Sequence, residues 1–117
     1  MRDFKKYTVW EQGHKLALSV YHLTRGFPKE ELYGLVSQIR RAAISIPANV
    51  AEGAAKISEK DFARYLGISY GSAAELEYLM LLSYDLGFVE SSLYETTASE
   101  IISIKKQLYH LIHKLNA

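Results

Sequence analysis

The chain contains no cysteine. That excludes a disulfide framework, a thiolate nucleophile and a thiolate metal site. Proline occurs only twice and glycine seven times in 117 residues, so neither a Pro/Gly-rich linker nor a low-complexity segment is present. No stretch approaches the roughly 18 uninterrupted apolar residues of a spanning helix. The opening residues, MRDFKKYTVW, are charged and lack the apolar run of a secretory signal. A cytoplasmic location and no membrane partner are expected. Charge of one sign is also lacking, because the net charge is +1. Any electrostatic role must therefore come from uneven placement.

What remains is a single domain over residues 1–117, long enough for a real core. Its hydrophobic share of 49% and charged share of 23% are ordinary for a globular protein. Apolar residues recur at three- and four-residue spacing throughout, which predicts an all-α chain with helices at about 9–24, 30–53, 59–86 and 91–115. Short connections favour antiparallel neighbours, hence an up-down-up-down four-helix bundle.

The first helix has a seam of Val9, Gly13, Leu16, Val20 and Leu23, with Ala17 and Tyr21 beside it. Gly26 and Pro28 punctuate its end. The second opens near Glu30 and Glu31, whose carboxylates suit the positive end of the helix dipole. Its seam is Leu32, Leu35, Ile39, Ala43, Ile46 and Val50. Pro47 lies inside it, removes one backbone donor and predicts a kink or break. Ser58 and Asp61 have capping-box spacing at the start of the third helix, and Gly87 suits its end. Ala63, Gly67 and Gly71, every fourth residue, predict a close helix crossing. The fourth helix opens at Ser91 or Ser92, with Glu95 spaced for a capping box. Its seam is Ile101, Ile104, Leu108, Leu111 and Leu115.

The second helix carries a further stripe of Gln38, Arg41, Ser45, Asn49 and Glu52. Short amides, a hydroxyl and one charge of each sign suit either a partly buried hydrogen-bonded network or a mixed polar surface. In a network, within one chain or between chains, Arg41→Ala would cost about 3–5 kcal/mol, against under about 1 kcal/mol for an exposed pair.

Apolar positions exceed what one bundle buries. Ile102, Tyr109 and Ile112 form a second strip on the fourth helix, and the Tyr65–Met80 part of the third shows a similar excess. Nine tyrosines in so short a chain point the same way, since tyrosine suits interfaces. Self-association follows. The antiparallel arrangement gathers Arg2, Lys5, Lys6, Lys15, Lys56, Lys60, Arg64 and Lys114 at one end, with Asp3, Glu11, Glu52, Glu59 and Asp61 among them. Residues 1–64 carry a balance of +4 and residues 65–117 one of −3. Repeated around a symmetric assembly, this mildly basic end becomes an anion-binding surface.

Catalytic constellations are lacking. A di-iron bundle needs two Glu-x-x-His pairs, and Glu11–His14 is the one present. His110 and His113 are one turn apart near the C-terminus, where solvated or capping roles suit them better than metal binding. Glu75 and Glu77 point in different directions on a helix. No Gly-rich phosphate loop and no Ser/His/Asp set is found. The chain is expected to be no enzyme, with no cofactor and no metal.

The residues resemble a bacterial family of four-helix bundle proteins first noticed as reading frames in intervening sequences of 23S ribosomal RNA genes. The accessory variability determinant of diversity-generating retroelements is similar to these proteins. The resemblance spans nearly the whole chain. It rests on Val9-Trp10, Phe27-Pro28, Tyr33-Gly34-Leu35, Gln38, Arg40-Arg41-Ala42-Ala43, Ser45-Ile46, Asn49 and Ala51-Glu52-Gly53. It continues through Phe62, Tyr65-Leu66, Gly71-Ser72, Glu75-Leu76-Glu77 and Leu86-Gly87. Pro47 stands where the family pattern is variable. The resemblance implies a bundle assembled as a ring, typically a homopentamer, with Arg41, Asn49 and Glu52 in a polar network. The retroelement relative binds nucleic acid and a reverse transcriptase. A ring-forming, non-enzymatic scaffold for RNA or an RNA-associated protein is the leading expectation. A protein–protein adaptor without nucleic acid is the alternative, and a ferritin-like metal oxidase a distant third.

Overall fold

The computed structural model describes residues 2–117. Among them are a short 3-10 turn, Phe4–Lys6, and four long α-helices: α1 (Thr8–Thr24), α2 (Ser37–Ala54), α3 (Glu59–Asp85) and α4 (Ser91–Asn116). Cross-helix contacts fix their directions. Thr24 meets Arg40 while Gly13 packs on Pro47; Ser45 meets Ser72 while Gly53 abuts Tyr65; Tyr84 stacks on Tyr94 while Glu77 meets Lys105. Each pair of consecutive helices is therefore antiparallel, and the bundle is up-down-up-down. It measures 43 × 23 × 19 Å.

The core is continuous along this length. Leu16, Val20, Ile39, Ile46, Val50, Phe62, Leu66, Leu76, Met80, Ile101, Ile104 and Leu108 are all buried. These are the seam positions that 3-4 spacing brings to one side of each helix. Leu32 is the exception, and is exposed. The second helix opens through a 3-10 turn, Lys29–Glu31, and a π turn, Leu32–Val36. The wider π turn rotates Leu32 off the line that Leu35 and Ile39 continue.

Pro47 does not break α2, which runs uninterrupted from Ser37 to Ala54. Proline brings no N–H to the carbonyl of Ala43, and its ring is buried against α1. Gly13 makes room there: a Cβ on Gly13 would lie 3.2 Å from Ile46 Cγ2 and 3.5 Å from the proline ring. Next to it, the buried hydroxyl of Ser69 donates to the Ile46 carbonyl at 2.8 Å, which ties α3 to α2 at this level.

The ends of α3 are set by local chemistry. Ser58 Oγ accepts from Asp61 N–H at 3.1 Å, while the Asp61 carboxylate turns toward Arg64. At the other end Gly87 adopts a φ of +82°. Its N–H bonds to Tyr84 O, and the Phe88 N–H bonds to Ser83 O, both at 2.9 Å, which is a Schellman closure. At α4, Glu90 occupies the N-cap and Ser91 opens the helix. The Ser92 hydroxyl donates to Glu90 instead of capping the turn, so the Ser92/Glu95 box does not form. The close crossing predicted at Ala63, Gly67 and Gly71 is absent within the chain. Ala63 is buried, but Gly67 and Gly71 are exposed and a Cβ at either would meet nothing within 4 Å.

Candidate functional site

Two regions gather the polar side chains singled out by the sequence. The first is the end of the bundle where the Phe4–Lys6 turn, the end of α2 and the start of α3 meet. Arg2 donates to the carbonyl of Lys56 at 2.6 Å and lies 4.7 Å over the Phe62 ring. The rim of Tyr65 is flanked by two cations, Lys56 Nζ at 4.9 Å and the Arg64 guanidinium at 4.7 Å from the ring centre. With Lys5 Nζ 5.8 Å from the Phe4 ring centre, four of the cations are tied to aromatic faces, an arrangement that fixes positive charge while leaving it partly solvated.

Lys5, Lys6, Lys60 and Lys114 are exposed there and make no ion pair among the described residues. Lys114 shares a shallow groove with Tyr7, Thr8 and Val9, which places the end of α4 beside the start of α1. Lys15 stands apart from this group. It sits two turns into α1, pairs with Glu11 at 3.9 Å and lines the α1/α4 side with Glu100 and Ser103. Ile57, in the α2–α3 connection between Lys56 and Ser58, is fully exposed and adds an apolar tip to the basic end.

The second region is the stripe on α2. Ser45 Oγ shares a hydrogen bond of 2.7 Å with Ser72 Oγ of α3. Asn49 Nδ2 donates to Ser45 Oγ at 2.9 Å and to its carbonyl at 2.8 Å. This short chain of hydrogen bonds sits half-buried at the α2/α3 seam. Gln38, Arg41 and Glu52 lie on the same side but are exposed, and none has a hydrogen-bond or ion-pair partner among the described residues. The stripe therefore divides into a bonded floor and a free rim. Among the described residues Arg41 joins no partly dry network, so the destabilisation expected from losing a partner within the chain does not apply. Gln38, Arg41, Ser45, Ser72 and Glu75 enclose a groove of about 400 Å³.

Spacing on α2 alone does not reveal Ser72, Tyr65 or Thr24, because each acts across helices. Thr24 is buried, donates to Val20 O at 2.8 Å and accepts from Arg40 Nε at 2.9 Å. Arg40 also covers the Tyr21 ring at 4.5 Å. On the opposite side of the bundle, Lys105 donates to the Glu77 carboxylate at 2.8 Å and sits 5.5 Å from the Tyr70 ring. That hydrogen bond holds Lys105 above the ordinary lysine range, against the opposing effect of its partial burial.

The histidines and carboxylates remain apart. His14 stacks on Trp10 at 5.2 Å, and His113 meets the Tyr109 ring at 4.3 Å with the two planes tilted by 56°. Among the described residues no three His, Asp or Glu side chains form a metal-holding group. No helix is long and apolar enough to cross a membrane. The apolar surplus is visible on the surface. Tyr78, Leu81, Tyr84, Ile102 and Tyr109 are exposed on α3 and α4, and Tyr21 and Tyr33 on the other side.

The fold is that of an all-α four-helix bundle protein whose polar features lie on its surface and at one end. The chain belongs to the 23S rRNA-intervening sequence protein family, whose model matches residues 5–110. It is similar to a crystal structure from Bacteroides thetaiotaomicron, described as a protein with unknown function from the S23 ribosomal protein family. The two share 25% identity with a TM-score of 0.84, over 90% of this chain and 98% of that one. No curated protein matches the chain.

Proposed function

We propose that this chain is a non-enzymatic, cytoplasmic scaffold that assembles as a ring, a homopentamer, and contacts RNA or an RNA-associated protein through its basic end. The observation that carries this reading is the set of Lys5, Lys6, Lys60 and Lys114, exposed at one end and free of acidic partners among the described residues. A single copy has little overall attraction for a polyanion, since its net charge is +1. A ring sets the same end side by side several times, and phosphate contacts then add. The exposed apolar side chains of α3 and α4 supply surface for the subunit contacts.

The test is binding to a structured RNA across a salt series. Affinity is expected to fall linearly in log–log form with salt, and the slope to flatten when Lys5, Lys6 and Lys60 are changed to Gln. No binding at low salt, or binding indifferent to salt, overturns the phosphate-contact reading. Capture of one protein partner after nuclease treatment, with no RNA bound, supports an adaptor instead.

A further inference from the structure

We infer that the ring closes head to tail, with the α1/α2 side of one copy docked on the α3/α4 side of the next. The inference rests on the ring assembly proposed above and assigns that assembly its two contact surfaces.

The four sides of the bundle alternate in character. The α2/α3 side is the polar groove of Gln38, Arg41, Ser45, Ser72 and Glu75. The α1/α4 side is polar as well, with Gln12, Lys15, Glu100 and Ser103. Consecutive helices are neighbours and α4 returns beside α1, so the α1/α2 and α3/α4 sides are opposite each other. Both carry large apolar side chains. Leu18, Tyr21, Tyr33 and Ile44 are exposed on one, and Tyr78, Leu81, Ile102 and Tyr109 on the other. A cyclic assembly uses such a layout, since each copy meets two neighbours through two different surfaces and keeps its remaining sides in water.

The register brings matching features to the same height. Arg40 lies five residues before Ser45 and Glu77 five after Ser72, so the Ser45–Ser72 bond sets Arg40 level with Glu77 in the antiparallel pair. Arg40 covers Tyr21, and Glu77 meets Lys105. Tyr21 on one side is thus level with Tyr78 and Ile102 on the other. Counted in the same way from Gly13 against Pro47, His14 and Trp10 come level with Gly71 and Gly67. His14 and Trp10 form a stacked pair, and the space above both glycines is open. The close helix approach that these small residues permit is then made by α1 of the next copy, with the stack seated beside Tyr109.

Charge selects the occupant. At the end where α1 finishes and α4 begins, Arg25 and Lys29 are exposed on the α1/α2 side, and Asp85 and Glu95 on the α3/α4 side. None of the four has an ion-pair partner among the described residues. Glu31, close to Lys29 in the chain, is turned back to accept from the Leu35 N–H, which leaves Glu30 as the exposed carboxylate of that connection. Two copies of either side, laid with like ends together, set like charge on like. One copy of each sets cations on carboxylates. A rotation axis running along the bundle keeps like ends together in every copy, so this contact repeats and closes into a ring. The partner that carries the complementary side at the matching height is a second copy of this chain.

Cysteine cross-linking tests this, since the chain has no thiol of its own. Leu18 and Ala74 are exposed on the opposite sides, both at the height of Ala43. Within one chain the thickness of the bundle separates them. A short bismaleimide added to Leu18→Cys/Ala74→Cys is expected to give a ladder on a denaturing gel that ends at the number of copies in the ring. Leu18→Cys alone and Ala74→Cys alone are expected to stay single chains. Mass by light scattering separates the two ways of failing. A wild type that runs as a single 13.3 kDa chain overturns both this inference and the ring beneath it. An assembled wild type with no ladder in the double variant overturns the assigned surfaces alone. Self-linking of either single variant overturns the head-to-tail arrangement. Circular dichroism monitors folding. If the double variant loses helicity or the wild-type mass, Tyr21→Cys/Tyr78→Cys, the next matched pair, takes its place with the same outcomes.

Discussion

Gly53 leaves no room for a side chain between α2 and α3. A Cβ there would lie 2.8 Å from Tyr65 Cβ, 3.0 Å from the Phe62 ring and 3.3 Å from the Phe62 carbonyl, and neither the Tyr65 Cβ nor that carbonyl can give way without moving α3. Gly53→Ala is therefore expected to destabilise the fold by about 1–3 kcal/mol, although alanine is the better helix former. A urea midpoint at or above wild type would show that α3 shifts freely. Arg41 is the opposite case. Exposed and unpaired among the described residues, it is expected to contribute less than about 0.5 kcal/mol to the stability of a dissociated chain. Denaturation of Arg41→Ala at a concentration where copies are apart checks this. A large loss there would place the guanidinium in a contact within the chain. Neither role is legible from sequence spacing, because the neighbours of Gly53 and Arg41 belong to another helix and depend on its register.

At the scale of elements, sequence periodicity was most informative where one helix faces one core. The seams of α1 and α4 needed only 3-4 spacing, and Gly87 needed only its freedom at positive φ. It was least informative where local geometry departs from the regular helix. The π turn displaces Leu32, and Glu90 takes the cap that two serines suggest. Pro47 is accommodated because Gly13 opens space on α1 and Ser69 anchors the preceding carbonyl, that of Ile46; neither residue is adjacent in sequence. Between α3 and α4, the Glu77–Lys105 bond carries a pH signature. A lysine raised above its unfolded value adds stability that is full below that value, about pH 10.4. The contribution is lost as pH rises through the folded value. Glu77→Gln is thus expected to cost under about 1 kcal/mol at neutral pH, with the gap to wild type closing as pH rises past about 10.4. A gap that stays constant to pH 11 would assign the effect to packing.

For the whole molecule, the bundle architecture was legible because four amphipathic stripes joined by short connections admit few arrangements. The basic end was legible only in part. Topology placed most of its cations together, but counting residues along α1 put Lys15 there when two helical turns carry it to the α1/α4 side. What a lone chain does not complete is its surface. None of the nine tyrosines is fully buried, and the α2 rim has no partner among the described residues. Loss of RNA binding in the lysine variants is expected without a change in mass.

The bundle is also uneven around its circumference. The α2/α3 and α3/α4 contacts are extensive, whereas α1 meets α4 along a thinner seam held by Gln107 Nε2 donating to Gln12 Oε1 at 2.6 Å. Leu111, Ile112 and Leu115, at the far end of that seam, are only half-buried. Local opening takes the path that exposes least apolar area. The bundle accordingly has a hinge side and an unlatching side, with the final turns of α4 the first amides to exchange with solvent and those facing the α2/α3 seam the last.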